Sequence, residues 1–125
     1  MNDRELSVLL FLLFAVKHFV IDFPLQTRYQ LSNKGTYGHP GGILHAGLHG
    51  IGTWACFAFF SGHAAVYAIV DAVVHYHVDW AKAKVNSRFA WQPVGHDQFW
   101  WLLGFDQFLH YLTYIALIGF FMRVF

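Results

Sequence analysis

The most informative residues of this 125-residue chain are histidines and aspartates that recur four positions apart. Side chains at this spacing lie on one face of a helix, one turn above the other. Five such pairs occur if Asp71 with His75 is counted, whereas random placement would give roughly two. Imidazole and carboxylate groups bind divalent transition metals. The sequence therefore predicts a metal centre with eight candidate ligands: His18, Asp22, His45, His49, His75, Asp79, Asp106 and His110.

These pairs lie in four long apolar segments, predicted as helices at about 6–23, 43–60, 64–84 and 99–122. Each segment has the roughly 17–25 residues that cross a bilayer as a helix. Hydrophobic residues make up 57% of the chain and charged residues only 12%, far fewer charges than a soluble domain carries. We therefore predict an all-α integral membrane protein. Residues 1–125 would form one domain, an antiparallel up-down bundle of four transmembrane helices with the metal centre in one half.

The predicted loops differ in charge. Basic residues cluster in or beside the two longer loops, and the positive-inside rule then places those loops and the site on the cytoplasmic side of the inner membrane. This predicts a multi-pass protein whose first partner is the lipid bilayer. The net charge of +1 gives no reason to expect nucleic acid. A homo-oligomer is left open, since no sequence feature decides it.

The common depth of the pairs distinguishes ligands from ordinary buried histidines. A single histidine inside a bundle is more often a hydrogen-bond partner than a ligand, but independent structural histidines have no reason to share a level. Eight side chains also exceed the needs of one zinc ion, which takes four ligands, or three from the protein when catalytic. We expect two or more divalent ions, zinc first, with iron and manganese left open.

Other polar residues near the pairs have expected roles as well. Asp79, Asp106 and Lys82 are predicted to act in catalysis, the two aspartates besides binding metal and Lys82 by holding a phosphate. The alternative role of Lys82 is an ordinary basic flank. Lys17 is expected to extend its amine toward the membrane interface. Four residues are expected to orient ligands or substrate: Gln26, Lys34, Asp71 and Gln107.

The motifs occur in a recognisable order along the chain. Asp22-Phe23-x-Leu25-Gln26 follows His18, and then come Asn33-Lys34, His45-x-x-x-His49, His75-x-x-x-Asp79-x-x-Lys82 and Asp106-Gln107-x-x-His110. In these motifs the sequence resembles the bacterial and phage membrane-protein family catalogued as domain of unknown function 3307. The resemblance covers nearly the whole chain. It implies a membrane location and brings no activity with it.

The leading functional prediction is a metal-dependent hydrolase of a membrane-associated ester. A phosphoester is favoured, on a lipid or another amphipathic substrate, because paired metal ions activate water and clamp a phosphoryl oxygen. A divalent-metal transporter or sensor would also place such ligands in a membrane, although ligands pooled at one level favour retention of the ion. A structural metal staple is the third reading, and bis-histidine haem ranks last because it needs no aspartates.

Overall fold

The structure is a computed structural model and describes residues 1–124, whose regular secondary structure is α-helical. The helices are α1 (Asp3–Asp22), α2 (Arg28–Asn33), α3 (Pro40–Phe57), α4 (Ala64–Phe89) and α5 (Asp97–Phe121). The four long helices form a ring in which α1 and α4 each pack on both α3 and α5. The short α2 packs on α3.

The predicted bundle of four transmembrane helices is wrong. The described chain has five helices, and within residues 1–124 none is both long and apolar enough to cross a membrane. The polar residues of the candidate site are the physical reason, because they interrupt each apolar stretch. In α4, for example, Asp71, His75, Asp79 and Lys82 follow one another within about three turns. The predicted multi-pass inner-membrane location, with the site on its cytoplasmic side, is wrong for the same reason.

Two capping boxes fix the beginnings of α1 and α2. The Asn2 side chain accepts a hydrogen bond from the backbone N–H of Glu5, and the Glu5 carboxylate accepts one from the backbone N–H of Asn2. Thr27 and Gln30 make the same reciprocal pair at α2. Apolar periodicity does not indicate α2, because six residues are too few for it to show. The Thr27-x-x-Gln30 spacing was its available signal.

Small residues bring α3 and α4 close together. A Cβ atom placed on Gly50 would lie only 3.0 Å from the backbone oxygen of Ala68 and 3.0 Å from the Cβ of Ala72. Any larger residue at position 50 would push the two helices apart. This close approach allows imidazoles from α3 and α4 to meet inside the ring.

The interior of the ring has an apolar part and a polar part. The apolar part is a buried cluster of Leu10, Phe14, Cys56, Phe57, Ala64, Tyr114, Leu117 and Ile118. The polar part contains the candidate ligands, with rings or carboxylates that are nearly inaccessible. Large apolar side chains are also exposed on all four long helices. The buried apolar cluster closes one end of the polar interior, so the site is approached from the other.

Candidate metal centre

Four buried side chains from three helices form the first ligand group: Asp22, His45, His49 and His75. One potential ligand atom from each lies within 4.8 Å of all the others. The Nε2 atoms of His45 and His49 are each 3.0 Å from Asp22 Oδ1. His75 Nε2 lies 3.3 Å from His45 Nε2 and 4.0 Å from Asp22 Oδ1. The four residues thus bring one potential ligand atom each into a single small cluster.

The second ligand group consists of His75, Asp79 and His110, which also converge within 4.8 Å. Asp79 contributes both oxygens, Oδ2 at 3.4 Å from His75 Nε2 and Oδ1 at 3.3 Å from His110 Nε2. Asp106 lies outside this group, but its Oδ1 is 3.4 Å from His110 Nε2. His75 belongs to both groups, and its ring stacks between His49 and His110, with centroid distances of 3.5 and 4.0 Å.

The separations between these atoms suit a shared cation. Ligands about 2.0–2.1 Å from an ion in a tetrahedron lie about 3.3 Å from one another, and most of the observed separations are 3.0–3.4 Å. Within residues 1–124 the buried atoms His110 Nε2 and Asp106 Oδ1 make no hydrogen bond of good geometry, although they lie 3.4 Å apart and Asp79 Oδ1 is 3.3 Å from His110 Nε2. Buried polar atoms without partners are costly. The buried His/Asp groups could therefore hold a metal ion, which would satisfy these atoms.

The environment sets the proton occupancy of the ligands. Burial lowers the pKa of His49 and of His75 to about 3, although Asp22 and Asp79 oppose the shift. Burial also lowers the pKa of His110, but Asp106 and Asp79 outweigh it and raise that pKa to about 9. Burial alone would raise the pKa of Asp79, yet His110 and His75 hold it well below its usual range. Asp79 is thus ionised and His49 and His75 are neutral, as metal ligands must be.

His18 lies beside the first group and is engaged by other partners. Its Nε2 is 2.7 Å from Gln107 Oε1 and 3.0 Å from Asp22 Oδ2, and its Nδ1 is 2.8 Å from the Tyr114 hydroxyl. Gln107 in turn donates to Asp106 Oδ2 at 3.2 Å. In this position His18 orients the Asp22 carboxylate, leaving Oδ1 of Asp22 for His45 and His49.

Lys17 and Asp71 form a buried ion pair below the ligand groups. Lys17 Nζ lies 2.5 Å from Asp71 Oδ2 and donates to Thr53 Oγ1 at 2.9 Å, and the Thr53 hydroxyl donates to the same carboxylate oxygen. The expectation that Lys17 would extend outward is wrong, since its side chain is only 5% exposed. Its ammonium instead lies 4.4 Å from the centroid of the Tyr114 ring. Lys17 and Thr53 together fix the position of the Asp71 carboxylate.

A cavity of about 230 Å³, here called the mouth, is lined by one carboxylate of each ligand group, Asp22 and Asp79. Lys34 Nζ lies 2.8 Å from Asp79 Oδ2, so the two groups form an ion pair. The geometry of this pair is not that of a hydrogen bond. Gln26 donates to the backbone oxygen of Asp22 at 2.7 Å. The mouth is lined by Asp22, Phe23, Gln26, Leu31, Lys34, Asp79, Lys82, Leu103, Asp106 and Gln107. Every polar residue expected to contact substrate, except Asp71, lies here.

Thr53 and Tyr114 were not singled out from the sequence. A signal for both was present, because each continues the four-residue spacing beyond a paired histidine. Thr53 follows His49 by one turn, and Tyr114 follows His110 by one turn. They extend the inward polar face of α3 and α5 by one more layer.

The chain matches one family of known proteins. Residues 9–125 match the model of the family described as "Protein of unknown function (DUF3307)". The match covers most of the chain, so the chain belongs to this family, and the resemblance seen in the motifs is confirmed. No curated protein and no solved structure matches it. The family description states no activity, and function has to be argued from the site.

Proposed function

We propose that this member of the DUF3307 family is a metal-dependent hydrolase of phosphoesters, with two divalent ions in its buried His/Asp centre. The single observation that carries the proposal is that Asp22 and Asp79, one carboxylate from each ligand group, line the mouth together with Asp106, whose Oδ1 lies 3.4 Å from the buried His110 Nε2. Zinc is the expected metal, because it accepts mixed imidazole and carboxylate ligands in small coordination shells.

Two ions are favoured over one by the number and arrangement of the ligands. One imidazole nitrogen carries a single lone pair, so His75 Nε2 can bind only one ion at a time. The first group retains Asp22, His45 and His49 without it, and the second retains Asp79 and His110, with Asp106 adjacent. Each set by itself offers ligands enough for an ion that keeps an open position for water or substrate.

The charges of the mouth support an anionic substrate once metal is bound. The three carboxylates of Asp22, Asp79 and Asp106 offset the ammonium groups of Lys34 and Lys82, so the metal-free mouth has no excess of positive charge with which to bind a phosphate. Divalent ions held by these residues would add positive charge here, and such ions stabilise charge on phosphoryl oxygens and lower the pKa of bound water. Lys34 and Lys82 hold the phosphate oxygens at the rim. In the reaction, water attacks phosphorus, the bond from phosphorus to the alcohol oxygen breaks, and the alcohol leaves with a proton.

The test compares bound metal and turnover in the purified protein and in the Asp79→Ala/Asp106→Ala variant. Elemental analysis should find two equivalents in the wild type and a loss in the variant. Hydrolysis of p-nitrophenyl phosphate should fall at least about a hundredfold, since ions contribute several kcal/mol to such reactions. Asp97→Ala is the matched control, because Asp97 is exposed in the first turn of α5. Undiminished turnover by the metal-free protein would overturn the proposal.

A second comparison addresses the phosphate-binding role of Lys34. Lys34→Met should raise KM for p-nitrophenyl phosphate about tenfold, which corresponds to the loss of one charge-assisted contact of about 1.4 kcal/mol. Lys84→Met changes the same charge at an exposed position of α4 outside the mouth and should leave KM unaltered. Equal KM values for the two variants would remove Lys34 from the binding site.

A further inference from the structure

A second cavity adjoins the mouth on the outer side of the seam between α4 and α5. This cavity, here called the α4/α5 groove, has a volume of about 470 Å³ and is lined by Val73, Val74, His77, Val78, Ala81, Lys82, Val85, Leu102, Phe105, Asp106 and Leu109. From Val73 to Val85 it follows α4 for about 18 Å, at 1.5 Å per residue. Its walls are almost entirely aliphatic or aromatic.

Continuity with the mouth distinguishes this groove from the other apolar surface. Large apolar side chains are exposed on all four long helices, so exposure alone does not identify a binding site. The groove, however, shares Lys82 and Asp106 with the mouth. A molecule whose anionic group sits between Lys34 and Lys82 would therefore have the groove directly beside it.

We infer that the α4/α5 groove binds the single aliphatic chain of an amphiphilic substrate whose phosphate enters the mouth. The inference rests on the proposed function for the identity of the head group. Lys82 lines both cavities, and a lysine side chain can pack its methylene stem on apolar walls while its ammonium group contacts a charged head. The mouth itself, at about 230 Å³, is less than half the volume of the groove. It accommodates the head group, and the groove accommodates the chain.

The test measures binding of n-alkyl phosphonates, which are not hydrolysed, to the zinc-loaded protein by calorimetry. Ethyl, butyl, hexyl and octyl phosphonate are used below the concentrations at which they form micelles. Each methylene that leaves water should tighten binding by about two- to fourfold, so octyl, with six more methylenes, should bind about 60- to 4,000-fold more tightly than ethyl. Octyltrimethylammonium has the same chain and the opposite charge, and it should not compete.

Ala81→Trp and Ala65→Trp provide the matched variants. Both alanines are exposed on α4, but Ala81 lines the groove and Ala65 does not. An indole at position 81 fills the groove, so the dependence on chain length should flatten, whereas Ala65→Trp should keep the wild-type dependence. Bound zinc in each variant verifies that the site is folded. A flat dependence in the wild type, or an equally steep one in Ala81→Trp, would overturn the inference.

Failure of this inference is distinguishable from failure of the proposed function, because phosphonate binding involves no turnover. Hydrolysis of p-nitrophenyl phosphate together with a flat chain-length series would remove the groove and leave the hydrolase. A steep series that Ala81→Trp abolishes, without hydrolysis of any phosphoester, would support the groove as an amphiphile site and count against the hydrolase.

Discussion

The Nε2 atoms of His45 on α3 and His75 on α4 lie 3.3 Å apart, with both rings fully buried. A direct hydrogen bond between them requires one N–H and one lone pair. His45 Nε2 also lies 3.0 Å from Asp22 Oδ1, which can accept a hydrogen bond if His45 carries its proton on Nε2. A cation bound by both nitrogens and the carboxylate oxygen would satisfy all three atoms without any proton. The close approach of α3 and α4 at Gly50 is what makes this separation attainable.

Single histidine substitutions distinguish a two-ion centre from a one-ion centre. His49→Gln affects only the first ligand group and His110→Gln only the second. If each group holds its own ion, each variant should retain about one equivalent of zinc, and the double variant none. Elemental analysis after gel filtration measures this directly. One shared ion would instead be lost from both single variants alike. His77→Gln serves as the control, because His77 lies outside both groups and is exposed.

Zinc affinity should depend on pH through His110. Its pKa of about 9 means that His110 is protonated in the metal-free protein at neutral pH, and zinc must displace that proton from Nε2. The association constant should therefore rise about tenfold per pH unit up to about pH 9. His49 and His75, with pKa values of about 3, are already neutral and add nothing to the slope in this range.

Calorimetry in buffers of different ionisation enthalpy measures the released proton. One proton per second-group ion is expected near pH 7, and His110→Gln should abolish both the release and the slope. Release that persists unchanged in His110→Gln would assign the proton to another group.

The metal-free protein should lose stability as pH rises through the same range. The pKa of His110 is raised from 6.5 to about 9 on folding, so the folded state binds more protons than the unfolded state between these values. This contribution is fully present below pH 6.5 and is lost by pH 9, about 3 kcal/mol in all. Urea denaturation in the presence of a chelator gives the free energy of unfolding at each pH. In His110→Gln the decrease over this interval should disappear.

The spacing of polar residues anticipated the site better than composition anticipated the fold. His45 with His49 and His75 with Asp79 stand one turn apart, and helical geometry alone places each pair on one face. What the spacing does not specify is which partner a polar atom selects. His18 pairs with Tyr114 and Gln107, residues nearly one hundred positions away. Such contacts depend on how α1 and α5 pack.

The membrane prediction failed because average composition conceals local interruptions. A content of 57% hydrophobic residues is compatible with transmembrane helices, but Lys17 and Asp71 sit inside segments that would need to be uniformly apolar. The two residues are paired across α1 and α4. Within its own helix, Lys17 or Asp71 gives no sign of the partner that it meets on the other helix.

The buried ion pair of Lys17 and Asp71 should stabilise the protein only when both partners are present. Lys17→Met leaves the Asp71 carboxylate buried with Thr53 as its one remaining donor among residues 1–124, and Asp71→Leu leaves the Lys17 ammonium without its counter-ion. Each single substitution should cost about 3–5 kcal/mol of unfolding free energy, and the double variant much less than their sum. Urea denaturation of all four proteins completes the cycle. Additive losses would show that the two groups are not energetically coupled.

The Lys17 side chain also limits which residues can replace Gly52. A Cβ atom on Gly52 would lie 2.6 Å from Lys17 Cγ and 3.0 Å from Ile21 Cδ1. The Lys17 stem cannot move away easily, because its ammonium is held by Asp71 and Thr53. Crowding of this kind costs about 1–3 kcal/mol, against a gain of about 1 kcal/mol from replacing a helical glycine by alanine. Gly52→Ala should therefore be neutral to destabilising by about 2 kcal/mol.

The sign of that effect should reverse when Lys17 is shortened. In a Lys17→Ala background the main obstacle is gone, so Gly52→Ala should stabilise the protein by up to about 1 kcal/mol. Gly47→Ala is the control on the same helix, since a Cβ there meets nothing within 4 Å, and it should stabilise both backgrounds equally. Thermal and urea unfolding of the four proteins at each position measure the coupling. If Gly52→Ala behaves like Gly47→Ala in the wild type, Lys17 does not occupy the space beside α3.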